Sequence, residues 1–273
     1  MFDEYLRQSE PDKTEKAKIW QTAIGLQEVD GLKPSGYLLE NAKQHIEGKL
    51  TLYEVQDHLN RYYQQQVVRL EDSRTEEADK VATRITEILS EQTFSLSPVE
   101  FMAIHRRLFQ DIYPFAGQIR DYNISKKEWI LINGESVLYA TAESLKATLE
   151  YDLNQEKQFS YRGLSQNEII QHIAIFTANL WQIHPFGEGN TRTTAVFLIK
   201  YLRKLGFKAV NNKMFAEHSL YFRNALVRAN YENIANGIFA TQDYLTLFLE
   251  NLLIDKHHYL KNRELHIDFN ADK

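Results

Sequence analysis

The stretch HPFGEGNTR, residues 184–192, places residue types suited to acid–base and anion-binding chemistry within one short turn. His184 has an ordinary pKa of about 6.5, which suits a general base near neutral pH. Glu188 supplies a carboxylate, which Mg²⁺ takes as a ligand together with phosphate oxygens. Arg192 adds a guanidinium close to the same point. The spacing therefore predicts a phosphate-binding turn with a base beside it.

The sequences on either side explain how this polar turn could hold an anion. IIQHIAIFTANLWQI before it and TTAVFLIKYLRKLG after it both have the apolar periodicity of helices. The second helix would begin with unpaired N–H groups and a partial positive charge, which favour phosphate. Gly187 and Gly189 would let the backbone approach a ligand, and Asn190 could cap the helix. An Arg in the first helical turn opposes the helix dipole, so Arg192 indicates a bound anion.

Composition limits the classes of function. The chain has 273 residues, of which 43% are hydrophobic and 25% charged, with a net charge of −5. The acidic balance disfavours nucleic acid and anionic membranes as partners. The lack of cysteine excludes disulfides and thiolate metal sites. The N-terminus lacks a signal-peptide core and the apolar runs are too short to span a bilayer, so we expect a cytoplasmic protein.

Helical signals dominate the chain and predict a mainly α fold. VATRITEIL, EFMAIHRRLF and YLTLFLENLLI have a period of 3.6 residues. Residues 51–54, 97–100 and 165–168 fit the capping-box pattern at helix starts. Gly48 and Gly206 stand where helices should end.

Two stretches depart from the helical pattern. IRDYNISKKEWILINGESVLYA, residues 119–140, mixes β-branched and aromatic residues with turn signals, which predicts a short β-hairpin. The charged stretch EDSRTEEADK, residues 71–80, is the best candidate for a domain boundary. We therefore expect an N-terminal helical module in residues 1–70 and a larger core in residues 71–273.

The motif HPFGEGNTR resembles the signature of the Fic family, H-x-F-x-[DE]-G-N-[GK]-R-x-x-R. The predicted helices before and after it and the predicted hairpin upstream agree with that family over about residues 75–255. Fic enzymes mostly transfer AMP from ATP to a hydroxyl side chain of a target protein. The resemblance implies a Fic-like helical bundle with a β-hairpin flap, and a protein adenylyltransferase that uses ATP and Mg²⁺.

The resemblance also implies a role for each motif position. His184 would take the proton from a Tyr, Thr or Ser hydroxyl of the target. Glu188 would hold Mg²⁺ between the α- and β-phosphates, and Arg192 would bind the β-phosphate of the leaving pyrophosphate. The other motif residues would support the loop or bind the nucleotide: Phe186 as a core anchor, Gly187, Gly189 and Thr191 at the phosphates, and Asn190 on the α-phosphate.

The predicted flap would dock the target segment by strand addition, with Ile124, Ile130 and Ile132 as docking residues. Two motif positions depart from the family, and at the first of them Thr191 replaces the usual Gly or Lys. Ala195 stands where a second Arg usually grips the γ-phosphate. This departure leaves the placement of ATP and the choice of nucleotide open.

Many Fic proteins carry an inhibitory helix with the motif [ST]-x-x-x-E-[GN], whose Glu pairs with the second Arg. SGYLLEN, residues 35–41, contains Glu40 followed by Asn, which predicts Glu40 as the inhibitory residue, although the Ser stands one position too early. A second near match, SRTEEA, has Ser73 four positions before Glu77 but lacks the following Gly or Asn. Because Ala195 replaces the usual partner, inhibition through Glu40 should be partial.

The implied partners are ATP and a protein with an exposed hydroxyl side chain, while homo-oligomerisation is left open. Three alternatives also stay open. The enzyme could remove AMP, it could transfer another phosphate-linked group, or the chain could be a non-catalytic binding protein on a degenerate Fic core. Ala195 favours the last alternative, whereas the intact His184, Glu188 and Arg192 favour catalysis.

Overall fold

The computed structural model describes residues 1–6, 10–65, 70–207 and 213–267, and most of them are helical. This confirms the mainly α prediction. The helices are α1 (Asp3–Leu6), α2 (Pro11–Gly25), α3 (Gly36–Ile46), α4 (Leu52–Gln64), α5 (Leu70–Ser90), α6 (Pro98–Phe109), α7 (Leu145–Gln158), α8 (Gln166–Ile183), α9 (Asn190–Lys204), α10 (Lys213–Asn230) and α11 (Asp243–Ile254). None of the helices within these ranges is long and apolar enough to cross a bilayer.

Local sequence sets several helix starts. At Thr51 and Ser165 the hydroxyl accepts from a backbone N–H, and the Glu three residues later bonds back, which completes two predicted capping boxes. At the third, the Ser97 hydroxyl accepts from the backbone N–H of Glu100 at 3.2 Å. Pro98 occupies the first turn of that helix, where its missing N–H costs nothing.

Helices α8 and α9 form the centre of the molecule. Helix α9 is buried continuously over residues 190–202 and packs on α5, α6 and α8. Helix α8 also packs on α7, α10 and α11. A helix that is buried on all sides needs apolar residues all around its surface, as in AVFLI. The turn between α8 and α9, which holds the motif, therefore lies against the core.

The N-terminal helices share this core. Helix α2 packs on α5 and α10, and α3 and α4 complete the group. The Asp79 carboxylate on α5 accepts from the Tyr63 hydroxyl at 2.6 Å and from the Ser35 backbone N–H at 2.8 Å. Burial raises the pKa of Asp79, although these hydrogen bonds favour its charged form. Residues 71–80 lie inside α5, so the charged stretch is not a loop, and the boundary near residue 70 stays a prediction.

One close contact joins α2 to α10. A Cβ atom placed on Gly25, the last residue of α2, would lie 2.4 Å from the Cα of Ala216 and 2.5 Å from the carbonyl oxygen of Phe215. No side chain fits at those distances. The two helix backbones can meet here only because residue 25 is glycine.

The predicted β-hairpin in residues 119–140 is wrong, because the structure shows no strand there. One backbone hydrogen bond crosses the loop, from the Glu128 N–H to the Glu135 carbonyl at 3.0 Å. The Lys126 N–H donates instead to the Ser136 hydroxyl at 3.1 Å. A 3-10 turn at Ile132–Gly134 forms the tip. We call residues 119–140 the flap loop.

The flap loop contains β-branched residues because its inner face is buried. Ile130 and Val137 are almost fully buried in the core. Ile130 therefore cannot serve as an exposed docking side chain, while Ile124 and Ile132 are partly buried. The Ile130 carbonyl accepts from the Ile267 N–H at 2.9 Å, so the chain's own C-terminal segment occupies this backbone position.

Candidate active site

His184 ends α8 with φ 49° and ψ 56°, a left-handed conformation that is uncommon for a residue with a side chain. Its Nδ1 lies 3.1 Å from the Trp181 carbonyl oxygen. Because a carbonyl can only accept, Nδ1 carries the proton and Nε2 keeps the lone pair that a base needs. Burial, aided by the positive charges of Lys126 and Arg120, holds the pKa of His184 well below its ordinary value. The ring is therefore neutral at neutral pH.

The flap loop covers this base. His184 is only 4% exposed, and the Tyr139 ring stacks on it with 4.1 Å between centroids. The His184 side chain is therefore almost closed off from solvent in this structure.

Arg120 attaches both ends of the flap loop to the motif turn. Its Nε donates to the His184 carbonyl at 2.9 Å, and its Nη2 donates to the Ala140 carbonyl at 2.6 Å. Its own backbone N–H donates to the Pro185 carbonyl at 2.9 Å. The sequence alone gave no signal for this residue, because its acceptors are backbone atoms.

Packing requires glycine at position 189 of the turn, whereas at position 187 an added Cβ would be close only to side chains that can move. A Cβ on Gly189, where φ is 77°, would lie 2.3 Å from the Phe109 ring. A Cβ on Gly187 would lie 2.7 Å from the Tyr122 hydroxyl. Phe186 is fully buried and stacks on the His105 ring at 3.7 Å, as a core anchor should.

Asn190 and Thr191 hold the turn together in this structure. The Asn190 side-chain oxygen accepts from the Phe186 N–H at 3.0 Å, and its amide nitrogen donates to the Phe186 carbonyl at 2.7 Å. The residue at the cap position is Gly189, so the prediction that Asn190 caps α9 is wrong. The Thr191 hydroxyl accepts from the Trp181 indole N–H at 2.9 Å. Their contacts with phosphate stay a prediction.

His105, which sequence reasoning missed, fixes the backbone at Glu188. The His105 Nδ1 accepts from the Gly117 N–H at 2.8 Å, and its Nε2 donates to the Glu188 carbonyl at 3.0 Å. Burial lowers the pKa of His105 to about 4, so the ring stays neutral. The sequence offers only a His within an apolar helical pattern, which does not distinguish this role from ordinary packing.

Arg192 is 1% exposed and is held by two carboxylates. Its Nη2 bonds the Glu77 carboxylate at 2.5 Å, and its Nε lies 2.7 Å from an Asp30 oxygen. The second contact lacks hydrogen-bond alignment and acts through charge. The Gln27 amide oxygen accepts from Nη1 at 3.1 Å. Burial opposes the charged form, but Asp30 and Glu77 outweigh it and raise the pKa of Arg192.

The predicted inhibitory residue Glu40 does not reach this arginine. It is exposed on α3, where its carboxylate accepts weakly from Gln44 at 3.4 Å. Glu77, the second near match, pairs with Arg192 rather than with the position of the second Arg, which Ala195 occupies. Asp30 was missed, although Asp30 followed by Gly31 resembles the end of the inhibitory motif with Asp in place of Glu.

Glu188 is suitably placed to hold a cation. Its side chain is 56% exposed and pairs with Lys126 of the flap loop at 2.8 Å. Within the described ranges, no group of three or more His, Cys, Asp or Glu side chains could hold a metal alone. One accessible carboxylate still fits Mg²⁺, which usually binds through one or two carboxylates and substrate phosphates.

A cleft of about 920 Å³ adjoins these groups, which is ample for a nucleotide. We call it the central cleft. Glu188 and Arg192 line it from the motif, Arg223 and Leu220 from α10, and Trp129 from the flap loop. Residues that precede the helix α6 also line it, namely Glu28, Val29, Asp30, Leu32, Lys33, Arg74 and Glu77. Ala195, in contrast, is fully buried.

Comparison with known proteins agrees with this geometry. The model of the Fic/DOC family matches residues 95–202. The solved N-terminal FIC domain of Bep8 from Bartonella sp. 1-1C resembles the fold with a TM-score of 0.53 at 16% identity, covering 69% of this chain and 88% of that one.

Curated relatives are similar in sequence. Protein adenylyltransferase VbhT of Bartonella schoenbuchensis is 28% identical over 170 residues, which are 62% of this chain and 34% of that protein. Probable protein adenylyltransferase y4lH of Sinorhizobium fredii is 31% identical over 130 residues, 47% of this chain and 62% of that protein. The chain thus spans less than two thirds of the length of these relatives.

Proposed function

We propose that this chain, which carries a Fic/DOC-family domain in residues 95–202, is a cytoplasmic protein adenylyltransferase. It would transfer AMP from ATP to a Tyr, Thr or Ser hydroxyl of a protein, itself included, and release pyrophosphate. The observation that carries this proposal is the neutral His184 with its Nδ1 fixed to a carbonyl, in the same motif as Glu188 and Arg192. The names of the matched relatives support the same reaction.

Each motif group then has a role that its chemistry allows. His184 Nε2 accepts the proton of the target hydroxyl. The unpaired N–H groups at the start of α9 and the Arg192 guanidinium bind phosphate oxygens. Glu188 would hold Mg²⁺, which when bound neutralises phosphate charge. Positioning and charge neutralisation account for most of the catalysis in reactions of this type.

We also propose that the structure represents an autoinhibited form. Asp30 and Glu77 hold Arg192, so phosphate must displace them to bind it. Lys126 pairs with Glu188 in a similar way, where a metal ion would compete. The inhibitory carboxylates would therefore be Asp30 and Glu77.

Intact-protein mass spectrometry after incubation with ATP and Mg²⁺ tests the activity. The Glu77→Gln chain, in which Arg192 is less strongly held, should gain one or more adenylyl groups, whereas the same chain that also carries His184→Ala should gain none while remaining folded. A gain by both proteins would contradict the role of His184. A different added mass would indicate transfer of another phosphate-linked group.

A further inference from the structure

The central cleft contains more positive charge than the motif supplies. Four cationic side chains line it: Lys33, Arg74, Arg192 and Arg223. Arg223 is paired with Glu128 at 2.8 Å, and Arg192 is held by its two carboxylates. Lys33 and Arg74 remain, and both precede residue 95, outside the matched Fic/DOC residues.

Neither of these two cations has a carboxylate partner among the described residues. Arg74 is exposed, and its Nη2 donates to the Asp30 backbone carbonyl at 2.8 Å. Lys33 is exposed and makes no hydrogen bond or ion pair with any other part of the described chain. Their charges are thus available to an anion in the central cleft.

Their position relative to Asp30 indicates which anion. The Asp30 carboxylate touches Arg192, while the carbonyl of the same residue touches Arg74. A phosphate that displaces the Asp30 carboxylate from Arg192 therefore arrives beside Arg74, and Lys33 follows three residues later in the same segment. A triphosphate needs such extra charge, because Ala195 is buried within α9 and contributes none.

We propose that Lys33 and Arg74 form the binding site for the terminal phosphate of ATP. The residues before position 95 would then both inhibit the enzyme through Asp30 and Glu77 and complete its nucleotide site. This inference rests on the proposed function only in taking ATP as the ligand. It predicts that the two cations discriminate between nucleotides by the number of their phosphates.

Nucleotide binding to the full chain carrying His184→Ala, which removes turnover, tests this inference. Calorimetry with Mg²⁺ should show that Lys33→Gln and Arg74→Gln each weaken ATP binding about tenfold, as loss of a charge-assisted hydrogen bond does. Binding of AMP should change by less than about twofold. Lys33→Arg should retain most of the ATP affinity, because it keeps the charge.

Lys49→Gln is the matched control. Lys49 is an exposed lysine of the same region that pairs with Glu47 outside the central cleft, so its loss should not change either affinity. Equal weakening of ATP and AMP by the two test variants, or no weakening of either, would overturn the proposal. Tighter ATP binding by Arg74→Gln would also overturn it, because Arg74 would then only hold the Asp30 segment in place.

The binding measurement separates this inference from the proposed function. If ATP binds with the expected dependence on Lys33 and Arg74 but no AMP is transferred by the wild-type chain or by Glu77→Gln, which weakens the hold on Arg192, the terminal-phosphate site stands and the transferase assignment falls. If AMP is transferred but ATP affinity does not depend on Lys33 or Arg74, the transferase assignment stands and the terminal-phosphate site falls. Absence of ATP binding to the parent protein would overturn both.

Discussion

Arg192 is a buried positive charge whose neutralising partners come from two distant parts of the chain. Asp30 and Glu77 are 162 and 115 positions away from it. The position of the Arg192 guanidinium can be predicted from the motif, because the loop between α8 and α9 and the start of α9 are contiguous in sequence. The partners of Arg192 cannot be predicted in this way, because the packing of distant helices around α9 decides which carboxylates contact it.

Replacing one partner of Arg192 should loosen the inhibition. Glu77→Gln keeps the shape but removes one negative charge beside a buried guanidinium. We expect the free energy of unfolding without nucleotide to fall by about 2 kcal/mol, and ATP binding to tighten, because phosphate then meets less competition. Urea denaturation and calorimetry measure the two effects.

The control for this change is Glu40→Gln. It makes the same chemical substitution at an exposed glutamate whose partner is Gln44. Neither stability nor ATP affinity should change by more than a few tenths of a kcal/mol. If ATP affinity instead responds to Glu40→Gln and not to Glu77→Gln, the inhibitory assignment returns to Glu40.

At the scale of elements, local signals predicted helices better than the flap. Thr51 and Ser165 begin helices as their sequences indicate, since a capping box involves only four neighbouring residues. Residues 119–140 have strand-like composition, yet Ile130 and Val137 are buried rather than paired in a ladder. A strand-like composition here reflects burial of the side chains. Whether the backbone pairs with another strand depends on the surrounding fold.

The contact between α2 and α10 gives a prediction for the N-terminal region. Gly25→Ala adds a methyl group where two backbone atoms lie within 2.5 Å, so α2 must shift away from α10. We expect the free energy of unfolding to fall by about 1–3 kcal/mol and the rate of self-adenylylation to rise, because Asp30 ends the 3-10 helix Leu26–Asp30 that follows α2. Denaturation and incorporation of labelled AMP measure these effects.

Gly36→Ala is the matched control for this substitution. Gly36 begins α3, has open space around it and does not have a positive φ. Alanine should therefore be neutral or slightly stabilising there. A rate increase shared by both variants would show that the contact with α10 is irrelevant to inhibition.

Arg120 should control the mobility of the flap loop. Lysine has no planar fork, so Arg120→Lys cannot keep the bonds to the His184 and Ala140 carbonyls together. We expect faster amide hydrogen exchange within residues 119–140 and unchanged exchange in α9. Arg162→Lys, at an exposed position, serves as the control. Unchanged protection of the flap loop after Arg120→Lys would show that Arg120 does not hold the flap loop in place.

At the scale of the whole molecule, buried neutral histidines should make the fold sensitive to acid. Burial lowers the pKa of His45 and of His105 to about 4, and that of His184 also lies below its ordinary value. The unfolded chain takes up these protons near pH 6.5, whereas the folded chain does so only at lower pH. The contribution of these histidines to the free energy of unfolding should thus be constant above pH 6.5 and should fall as the pH drops from 6.5 to 4.

The substitution His45→Gln separates the effect of histidine titration on stability from that of the carboxylates that titrate in the same pH range. His45 accepts from the Trp20 indole N–H at 3.0 Å, and a glutamine oxygen can take over that bond without titrating. His45→Gln should reduce the loss of stability between pH 6.5 and 4 by roughly 3 kcal/mol at most. Urea midpoints at several pH values measure the loss. If the urea midpoints of the wild type and of His45→Gln fall in parallel with pH, His45 is not a source of the acid sensitivity.

The neutralised state of Arg192 also sets how fast nucleotide can arrive. If its site opens only when the segment carrying Asp30 moves aside, ATP meets a competent protein for a fraction of the time. The observed association rate should then stop rising at high ATP concentration and level off at the opening rate of that segment, far below the diffusion limit. The protein would respond slowly to a sudden supply of ATP and would respond faster to any partner that pulls the N-terminal helices away.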